Sequence, residues 1–335
     1  MRILIVGATG VVGQEIIHCL EKRKFPLTSL RLAASKNSAG KIIKTAFGKI
    51  TVEEINAKIF KNVDIALLAT DGKISAKLAK IATNNGCIVI DNSSYFRYIS
   101  DVPLIIPEIN GDIYWQHHGI IASPNCTTAI AAIPLWIIEK NYGLKKVIIS
   151  SYQAASGAGQ AALEELKQQT TDYARGKKLT VKNFAYQLLF NVIPQIDVFQ
   201  ENNYTKEEMK IVWELRKIFN KPKLNVSCTA VRVPTLRAHS ESIVVETKKP
   251  INSNKVRELF RKTAGIKVVD EPKNLLYPMP LNATEKFDVE VGRIRQSLIF
   301  GKHGLEFFIS GDQLLKGAAL NVVQIAELFI KNMHK

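Results

Sequence analysis

Short apolar runs alternate with amphipathic stretches over the first ninety residues of the chain. This pattern predicts helices over residues 11–20 and 73–83 and strands over residues 3–6, 30–34, 64–69 and 87–90. A further short strand is predicted over residues 119–122. Because short β-rich runs alternate with helices, the sequence predicts an α/β fold in which helices cover both faces of a parallel sheet.

Longer strands and fewer helices follow residue 125. The pattern there predicts helices over residues 160–174 and 313–330 and strands over residues 147–153, 226–233, 242–247, 289–294, 298–300 and 306–310. This less regular order of elements is typical of an α+β domain. A chain of 335 residues has the length of two domains, so we expect a boundary near residue 125.

The composition is that of a globular protein, since 46% of the residues are hydrophobic and 23% are charged. The longest apolar run, residues 129–138, contains Pro134 and is far shorter than the ~20 residues of a membrane helix. We therefore expect no membrane segment. Four scattered cysteines predict neither a disulfide framework nor a metal site, and the N-terminus lacks the pattern of a signal peptide. Both features predict a cytoplasmic protein.

The net charge of +16 comes from 46 basic and 30 acidic residues. A nucleic-acid partner is one interpretation of such an excess. The basic residues are spread along the chain, however, and no motif interleaves them with aromatic residues. We therefore predict no nucleic-acid partner and favour small anionic ligands.

A glycine-rich turn links the first predicted strand to the first predicted helix. Its sequence over residues 7–13, GATGVVG, is a spacing variant of the dinucleotide-binding fingerprint, in which glycines let the backbone approach a pyrophosphate. The helix that follows offers unpaired N–H groups and the positive end of its dipole. The predicted cofactor-binding residues are Gly7, Thr9, Gly10, Val11, Val12 and Gly13.

The end of the second predicted strand bears on the choice between NAD and NADP. Residues 33–41, AASKNSAGK, contain no acidic residue of the kind that holds the ribose hydroxyls of NAD. Hydroxyl groups and a cation favour a 2′-phosphate instead, so the sequence predicts NADP. The residues expected to hold it are Ser35, Lys36, Asn37 and Ser38.

Cys126 is the candidate nucleophile. It follows Asn125 and opens an apolar helical run, and a thiolate is favoured at a helix N-terminus. The other cysteines lie inside predicted helices or strands and are expected to be inert. His239 shares a predicted strand-end loop with Arg232 and Arg237, and a Cys–His pair is suited to acyl chemistry.

Motifs that a known family carries in the same order extend over essentially the whole chain. They lie at residues 7–13, 91–97, 107–110, 125–128, 153–159, 193–197, 207–210, 232–239 and 312–319. On these motifs the sequence closely resembles the bacterial aspartate-semialdehyde dehydrogenases. The resemblance implies a Rossmann-type NADP-binding domain, completed by the C-terminal helix, and an α+β substrate and dimerisation domain. The expected domains are residues 1–125 with 311–335, and residues 126–310, and the expected assembly is a homodimer.

The resemblance also implies a reaction. Aspartate 4-semialdehyde, phosphate and NADP⁺ interconvert with aspartyl 4-phosphate and NADPH, in the biosynthesis of lysine, diaminopimelate, threonine and methionine. Cys126 would form the thioester, His239 would act as general acid/base, and Gln153 would orient the acyl intermediate.

The resemblance further implies the ligand contacts. Arg232 would bind the substrate α-carboxylate and Glu207 its α-amino group, although the adjacent Glu208 leaves this choice to a one-residue register. The residues implied for phosphate are Arg97, Asn125 and Lys210. Those implied for the cofactor, beyond the glycine turn, are Ser156, Gly157, Gln313 and Asn321.

Two alternatives stand beside this interpretation. An N-acetyl-γ-glutamyl-phosphate reductase would share the Rossmann-type domain and the cysteine, but Asn125 before Cys126 and an acid for a free amine favour the aspartate enzyme. A non-catalytic NADP-binding homologue is the other alternative. The intact set of Cys126, Gln153, Arg232 and His239 argues against it.

Overall fold

The computed structural model describes residues 1–331. The chain forms two compact units, one of Met1–Asn125 with Gly317–Lys335 and the other of Cys126–Lys316. The assignment of domains to residues 1–125 with 311–335 and to residues 126–310 stays a prediction. Within the described residues, every helix is too short or too polar to span a bilayer.

The first unit is built on a parallel sheet. The strands of this unit are β1 (Arg2–Val6), β2 (Ser29–Ala34), β3 (Ile42–Thr45), β4 (Gly48–Thr51), β5 (Glu53–Glu54), β6 (Ile65–Leu68), β7 (Ile88–Asp91) and β8 (Ile120–Ala122). The helices within residues 1–125 are α1 (Val11–Lys22), α2 (Gly72–Asn84) and the short α3 (Pro107–Asn110). The sheet has the order β5-β2-β1-β6-β7-β8, and β3 and β4 form a separate antiparallel pair.

This strand order is that of a doubly wound dinucleotide-binding fold, in which the direction of winding reverses between β1 and β6. The four apolar residues of β1, Ile3 to Val6, are at most 1% exposed, as expected for a strand covered on both faces. The predicted Rossmann-type fold is therefore confirmed. Its ligand crevice is expected at the carboxyl end of β1, where the glycine turn begins.

The second unit is built on a mixed sheet. Its strands are β9 (Leu144–Gln153), β10 (Asn225–Arg232), β11 (His239–Thr247), β12 (Ile266–Val268), β13 (Val289–Gln296) and β14 (Gly304–Gly311). Its helices are α4 (Cys126–Tyr142), α5 (Gln160–Ala174), α6 (Lys206–Ile218), α7 (Ser253–Arg261) and α8 (Pro280–Ala283). The sheet order is β10-β9-β11-β14-β13-β12, with the pairs β10/β9 and β13/β12 parallel and the others antiparallel. The predicted α+β class is confirmed.

The C-terminal helix belongs to the first unit. A π-helical turn over Leu315–Ala319 leads into α9 (Leu320–Lys331), which packs against α1 and α3. Arg23 at the end of α1 forms a bidentate pair with Glu327, at 2.6 and 2.7 Å. A helix over residues 313–330 was predicted, and its beginning lies slightly later because the backbone N–H groups of Leu314 and Leu315 first bond the Asp312 carboxylate.

The strand predicted over residues 298–300 is wrong. These residues form a turn between β13 and β14, in which the Ser297 hydroxyl accepts the backbone N–H groups of Ile299 and Phe300. Leu298 is 98% exposed and Ile299 is 76% exposed. Three consecutive apolar residues suggested a buried strand, but the chain reverses there and presents two of them to solvent.

Candidate functional site

Two glycines of the turn in the first unit lie where a side chain would collide with backbone. Gly7 has φ +86°, and a Cβ added there would lie 2.3 Å from the backbone oxygen of Ala69. A Cβ on Gly13 would lie 2.2 Å from the Gly7 oxygen. Between these glycines, the residues Thr9, Gly10, Val11 and Val12 are exposed or half-buried. The turn can therefore present the unpaired N–H groups of the first turn of α1 to an anion.

The loop after β2 is exposed and carries no acid. Ser35 precedes a 3₁₀ turn over Lys36–Ser38, and the Ser38 N–H donates to the Ser35 oxygen at 2.8 Å. Ser35, Lys36 and Asn37 are exposed, while Ser38 is half-buried. The loop thus offers hydroxyl, amide and ammonium groups at the carboxyl end of the strand.

Three further residues predicted to bind ligands lie in the first unit and are buried. Arg97 donates to the backbone oxygens of Ser123 and Asn92, at 2.8 and 2.9 Å. Asn321 donates to the Ile105 oxygen at 2.9 Å and to the Ser123 hydroxyl at 3.0 Å. Asn125 is 6% exposed and ends this segment of the unit. Much of their donor capacity therefore organises the loops that follow β7 and β8.

In the second unit, Cys126 is the first residue of α4, and its side chain is half-buried. Arg232, at the end of β10, is close enough to interact electrostatically with Cys126 and with Glu207. Burial lowers the pKa of the Arg232 guanidinium, and both acidic neighbours oppose this effect. A cation and a helix N-terminus both favour a thiolate, so the surroundings of Cys126 suit a nucleophile.

The strand register brings Arg232 beside Gln153, because β10 and β9 pair in parallel with these residues opposite each other. Gln153 is 2% exposed. Its Oε1 accepts from the Ser151 hydroxyl at 3.0 Å, and its Nε2 donates to Glu207 Oε1 at 3.3 Å. Lys210 Nζ donates to Glu207 Oε2 at 2.9 Å. Four of the predicted residues thus form one connected cluster in the second unit.

The two adjacent glutamates on α6 have different partners. Glu208 forms a capping box with Thr205 and also accepts the backbone N–H of Ala230 at 2.9 Å. Its carboxylate therefore serves the backbone of α6 and β10. Glu207 instead faces Gln153, Lys210 and Arg232, which makes it the glutamate available to a ligand.

His239 is the first residue of β11 and is fully buried. The backbone N–H of Ala154 donates to its Nδ1 at 3.0 Å, which assigns the proton of the neutral ring to Nε2. Among the described residues, Nε2 has no hydrogen-bond partner. Burial, together with the Arg232 cation, holds the pKa of His239 well below its usual range. The ring is therefore a neutral donor through Nε2 at pH 7.

Gly157 lies against this ring. A Cβ on Gly157 would lie 2.9 Å from His239 Nε2 and 3.1 Å from Arg232 Nη1. The neighbouring Ser156 hydroxyl accepts from Gln313 Nε2 at 2.6 Å, and Gln313 Oε1 accepts the Ala238 N–H at 2.8 Å. Gln313 therefore connects the turn at Ser156 to the residue just before His239. Ala238 has φ +67°, so this bond holds a left-handed residue in place just before His239.

The described residues contain no cluster of His, Cys, Asp or Glu side chains with the geometry of a metal site. The four cysteines are all described, and none forms a disulfide. Cys19, Cys87 and Cys228 are at most 2% exposed. Burial raises the pKa of Cys87 and raises the pKa of Cys228 well above the usual range, so neither thiol is activated.

Comparison with known proteins identifies both units. A family model described as semialdehyde dehydrogenase, NAD binding domain, matches residues 2–116, and one described as semialdehyde dehydrogenase, dimerisation domain, matches residues 136–316. An aspartate-semialdehyde dehydrogenase from Aquifex aeolicus is 44% identical over 334 residues, which cover 98% of either chain. One from Bacillus subtilis is 43% identical and covers 98% of this chain and 96% of its own.

A solved structure agrees with these relatives. The crystal structure of aspartate semialdehyde dehydrogenase II from Vibrio cholerae, complexed with ASA, has a TM-score of 0.96 at 39% identity, and the match covers 98% of either chain. The chain belongs to the aspartate-semialdehyde dehydrogenase family. Its activity is that of an aspartate-semialdehyde dehydrogenase, an oxidoreductase of amino-acid biosynthesis. It carries an NAD(P)-binding domain and a dimerisation domain.

Three features of the site were missed in the sequence. Asp197 pairs with Lys210 at 2.8 Å, although its motif, residues 193–197, carried no predicted role. The backbone of Ala154 contacts both His239 and Arg232, and Arg232 Nη1 donates to its oxygen at 2.6 Å. Backbone contacts of this kind leave no sequence signal. The motif containing Asp197 was the one available clue.

Glu241 is the third missed feature. It lies two residues after His239 on β11, pairs with Ser151 on β9 in the sheet register, and is fully buried. Among the described residues, neither of its carboxyl oxygens has a hydrogen-bond partner. Burial raises the pKa of Glu241 well above its usual range. Burial therefore favours the protonated form of this side chain, which lies in the same sheet as the candidate site.

Proposed function

We propose that Cys126 is the nucleophile of the dehydrogenase reaction. In the oxidative direction, the Sγ thiolate attacks the aldehyde carbon of aspartate 4-semialdehyde, and the carbonyl oxygen becomes an oxyanion. The carbon then loses hydride and becomes a thioester. An oxygen of inorganic phosphate attacks the thioester carbon, the carbon–sulfur bond breaks, and aspartyl 4-phosphate leaves with the thiolate restored. The reverse sequence serves biosynthesis.

His239 stabilises the oxyanion as a hydrogen-bond donor. The Ala154 N–H occupies Nδ1, so Nε2 carries the ring proton beside Gly157. A neutral donor held in place can stabilise negative charge that develops on the substrate oxygen. Of the predicted general acid/base role of His239, this geometry therefore supports the acid. The thiolate of Cys126 is favoured by Arg232 and by the N-terminus of α4, and not by His239 acting as a base.

The remaining polar residues bind the substrate. Arg232 is suited to the α-carboxylate, since a guanidinium binds a carboxylate through two hydrogen bonds. Glu207 is suited to the α-ammonium group, because Glu208 is committed to the backbone. Gln153 orients the acyl group from between Ser151 and Glu207. Phosphate is assigned to Lys210, Arg97 and Asn125.

NADP is the proposed cofactor, and the residues present fit it. At Gly7 and Gly13 neighbouring backbone fills the place of a side chain, and a tight glycine turn of this kind at the start of α1 suits a pyrophosphate. Lys36 and Ser35, exposed at the end of β2, suit the 2′-phosphate. The remaining assigned residues are Thr9, Gly10, Val11, Val12, Asn37, Ser38, Ser156, Gly157, Gln313 and Asn321. When bound, NADP accepts or supplies the hydride.

The preference for the 2′-phosphate is tested by Lys36→Glu. An acid at this position repels a phosphate dianion, so kcat/KM for NADP⁺ should fall by about tenfold, while that for NAD⁺ should not fall. Steady-state rates with each cofactor measure the change. An equal fall with both cofactors would contradict the assignment of Lys36 to the 2′-phosphate.

A homodimer is the proposed assembly. Six large apolar residues of the second unit are between 58% and 70% exposed, namely Tyr173, Tyr186, Phe190, Val192, Val198 and Phe199. Apolar exposure of this kind is typical of a surface that a partner covers. Light scattering after gel filtration distinguishes a dimer from a tetramer or a monomer. The cytoplasmic location stays a prediction.

The cluster of Cys126, Arg232, Gln153 and Glu207 carries the proposed function. The experiment is phosphate-dependent reduction of NADP⁺ by aspartate 4-semialdehyde, with wild type and Cys126→Ala. Activity that requires phosphate and disappears in the variant is the expected result. N-acetyl-glutamate semialdehyde in a parallel assay tests the rival reaction, and turnover of that substrate alone would overturn the proposed substrate contacts.

A further inference from the structure

The ammonium group of Lys210 lies between two carboxylates. Its Nζ donates to Asp197 Oδ2 at 2.8 Å and to Glu207 Oε2 at 2.9 Å. The Lys210 side chain is 13% exposed and that of Glu207 is 7%, whereas that of Asp197 is 31%. One partner of Lys210 is therefore nearly buried in the cluster, and the other lies at its edge.

The position of Asp197 is fixed by local bonds. Its φ is +71°, a left-handed conformation that Asp tolerates better than most residues, and its Oδ1 accepts the Val198 N–H at 2.9 Å. The loop is tied to α6, because the Lys206 N–H donates to the Val198 oxygen at 2.8 Å. At its other end, Ile193 exchanges two backbone hydrogen bonds with Arg232. Asp197 is thus held between the two elements that carry the substrate-binding residues.

The charges of Asp197 and Lys210 are well defined at neutral pH. Burial alone would raise the pKa of Asp197, but the hydrogen bonds from Lys210 and the Val198 N–H, together with the charges of Lys210 and Lys206, outweigh burial, and the pKa lies below its usual range. Burial alone would likewise lower the pKa of Lys210, but Glu207 and Asp197 outweigh it, and the pKa is raised. Two carboxylates therefore share one ammonium group.

Asp197 and Arg232 also line the same cavity. It has a volume of about 200 Å³, and its walls include Ala158, Gln195 and Ile196. An amino-acid substrate that enters with its carboxylate on Arg232 brings a second ammonium group to the cluster. Glu207 could not neutralise this group fully if Asp197 did not also pair with Lys210.

We propose that Asp197 is a positioning residue, which holds Lys210 so that Glu207 can accept the ammonium group of the substrate. This inference rests on the proposed function, because it takes Glu207 as the acceptor of the amine and Lys210 as a ligand of phosphate. With Asp197 present, the substrate ammonium replaces Lys210 at Glu207 without leaving Lys210 unpaired. Without it, two cations compete for one carboxylate.

The test is Asp197→Asn, which keeps the local hydrogen bond and the tolerance for left-handed φ but removes the charge. We expect the KM for aspartate 4-semialdehyde to rise about fivefold, the effect of a partly exposed ion pair. The KM for phosphate should fall, because Lys210 loses a competing anion. The kcat should change by less than about threefold. Asp197→Glu, which keeps the charge, should restore the wild-type KM for the semialdehyde.

A substrate without the amino group separates positioning from structural support. With succinate semialdehyde, which carries the carboxylate and aldehyde only, kcat/KM should be the same for wild type and Asp197→Asn. Glu258→Gln, which removes an equal charge from an exposed pair with Arg261, is the matched control and should change neither KM. A parallel rise of both KM values in Asp197→Asn, or an equal loss with both semialdehydes, would overturn the inference.

Glu207→Gln distinguishes a failure of this inference from a failure of the proposed function. If Glu207→Gln abolishes the preference for the amino substrate while Asp197→Asn leaves it intact, the role of Asp197 is overturned and that of Glu207 stands. If Glu207→Gln leaves the preference unchanged, the proposed substrate contact is wrong, and the role of Asp197 falls with it.

Discussion

The two candidate ligand-binding regions of the molecule offer charge recognition by different means. In the first unit, the turn over residues 7–13 offers backbone N–H groups, and Gly7 and Gly13 lie where added atoms would collide with the backbone. In the second unit, charged side chains from several elements hold one another in place. A backbone site is therefore sensitive to volume, whereas a side-chain site is sensitive to charge and to hydrogen-bond donors.

The largest expected effect comes from removing the nucleophile of the side-chain site. Cys126→Ala should lower kcat by about 10⁴-fold or more, because no other group can form the thioester. The dissociation constant for NADP and the melting temperature should stay at wild-type values. Steady-state kinetics and fluorescence titration of the cofactor measure both. A variant that retains one-hundredth of wild-type activity would show that Cys126 is not the nucleophile.

The donor at His239 is expected to have the next largest effect. The amide nitrogen of Gln can occupy the place of Nε2, whereas that of Asn lies nearer Nδ1. His239→Asn should therefore lose about 10³-fold in kcat, the loss of one oxyanion donor, and His239→Gln only about tenfold. Equal losses would indicate that His239 transfers a proton rather than donating a fixed hydrogen bond.

The backbone site should respond to a single methyl group. A Cβ on Gly13 would lie 2.2 Å from the Gly7 oxygen, whereas a Cβ on Gly10 would lie 3.3 Å from the same oxygen. Gly13→Ala should lower the melting temperature by about 4–8 °C, as overpacking of a core does, and weaken NADP binding. Gly10→Ala is the matched control and should melt like wild type. Similar melting of both variants would contradict the steric account of this turn.

The smallest expected effect is a change in how stability depends on pH. Burial raises the folded-state pKa of Glu241 above the ordinary value of about 4.3. The native state then keeps a proton that the unfolded chain releases, so the free energy of unfolding falls as pH rises from about 4.3 toward the folded pKa. Glu241→Gln should remove this loss. The melting temperature of the variant minus that of wild type should therefore be about 2–4 °C larger at pH 8 than at pH 4. The same difference between the melting temperatures of variant and wild type at both pH values would show that Glu241 does not titrate in this way.

The sequence was most informative where structure is local. The glycine turn, the strand before it and the helix after it are neighbours in the chain, so their spacing alone indicated a dinucleotide site. The helix that begins at Cys126 was visible for the same reason. The turn at residues 298–300 was misjudged because three apolar residues suggest burial, and only tertiary structure shows that Leu298 and Ile299 are exposed.

The side-chain site depends on long-range pairing that no local pattern carries. Arg232 lies beside Gln153 because β10 and β9 pair in one register, and a shift of one residue would turn the guanidinium to the other face. The choice between Glu207 and Glu208 required the capping box and the bond to Ala230. The role of Asp197 required its contact with Lys210.

The burial of the cysteines has a consequence for chemical labelling. Cys19, Cys87 and Cys228 are shielded within the units, whereas Cys126 is half-buried at a helix N-terminus. An electrophile added to the native protein should therefore react at one sulfur, and on the proposed role of Cys126 each labelled molecule should be inactive. The number of active sites in a preparation can be counted by thiol titration, and covalent inhibitors can be built on the same selectivity.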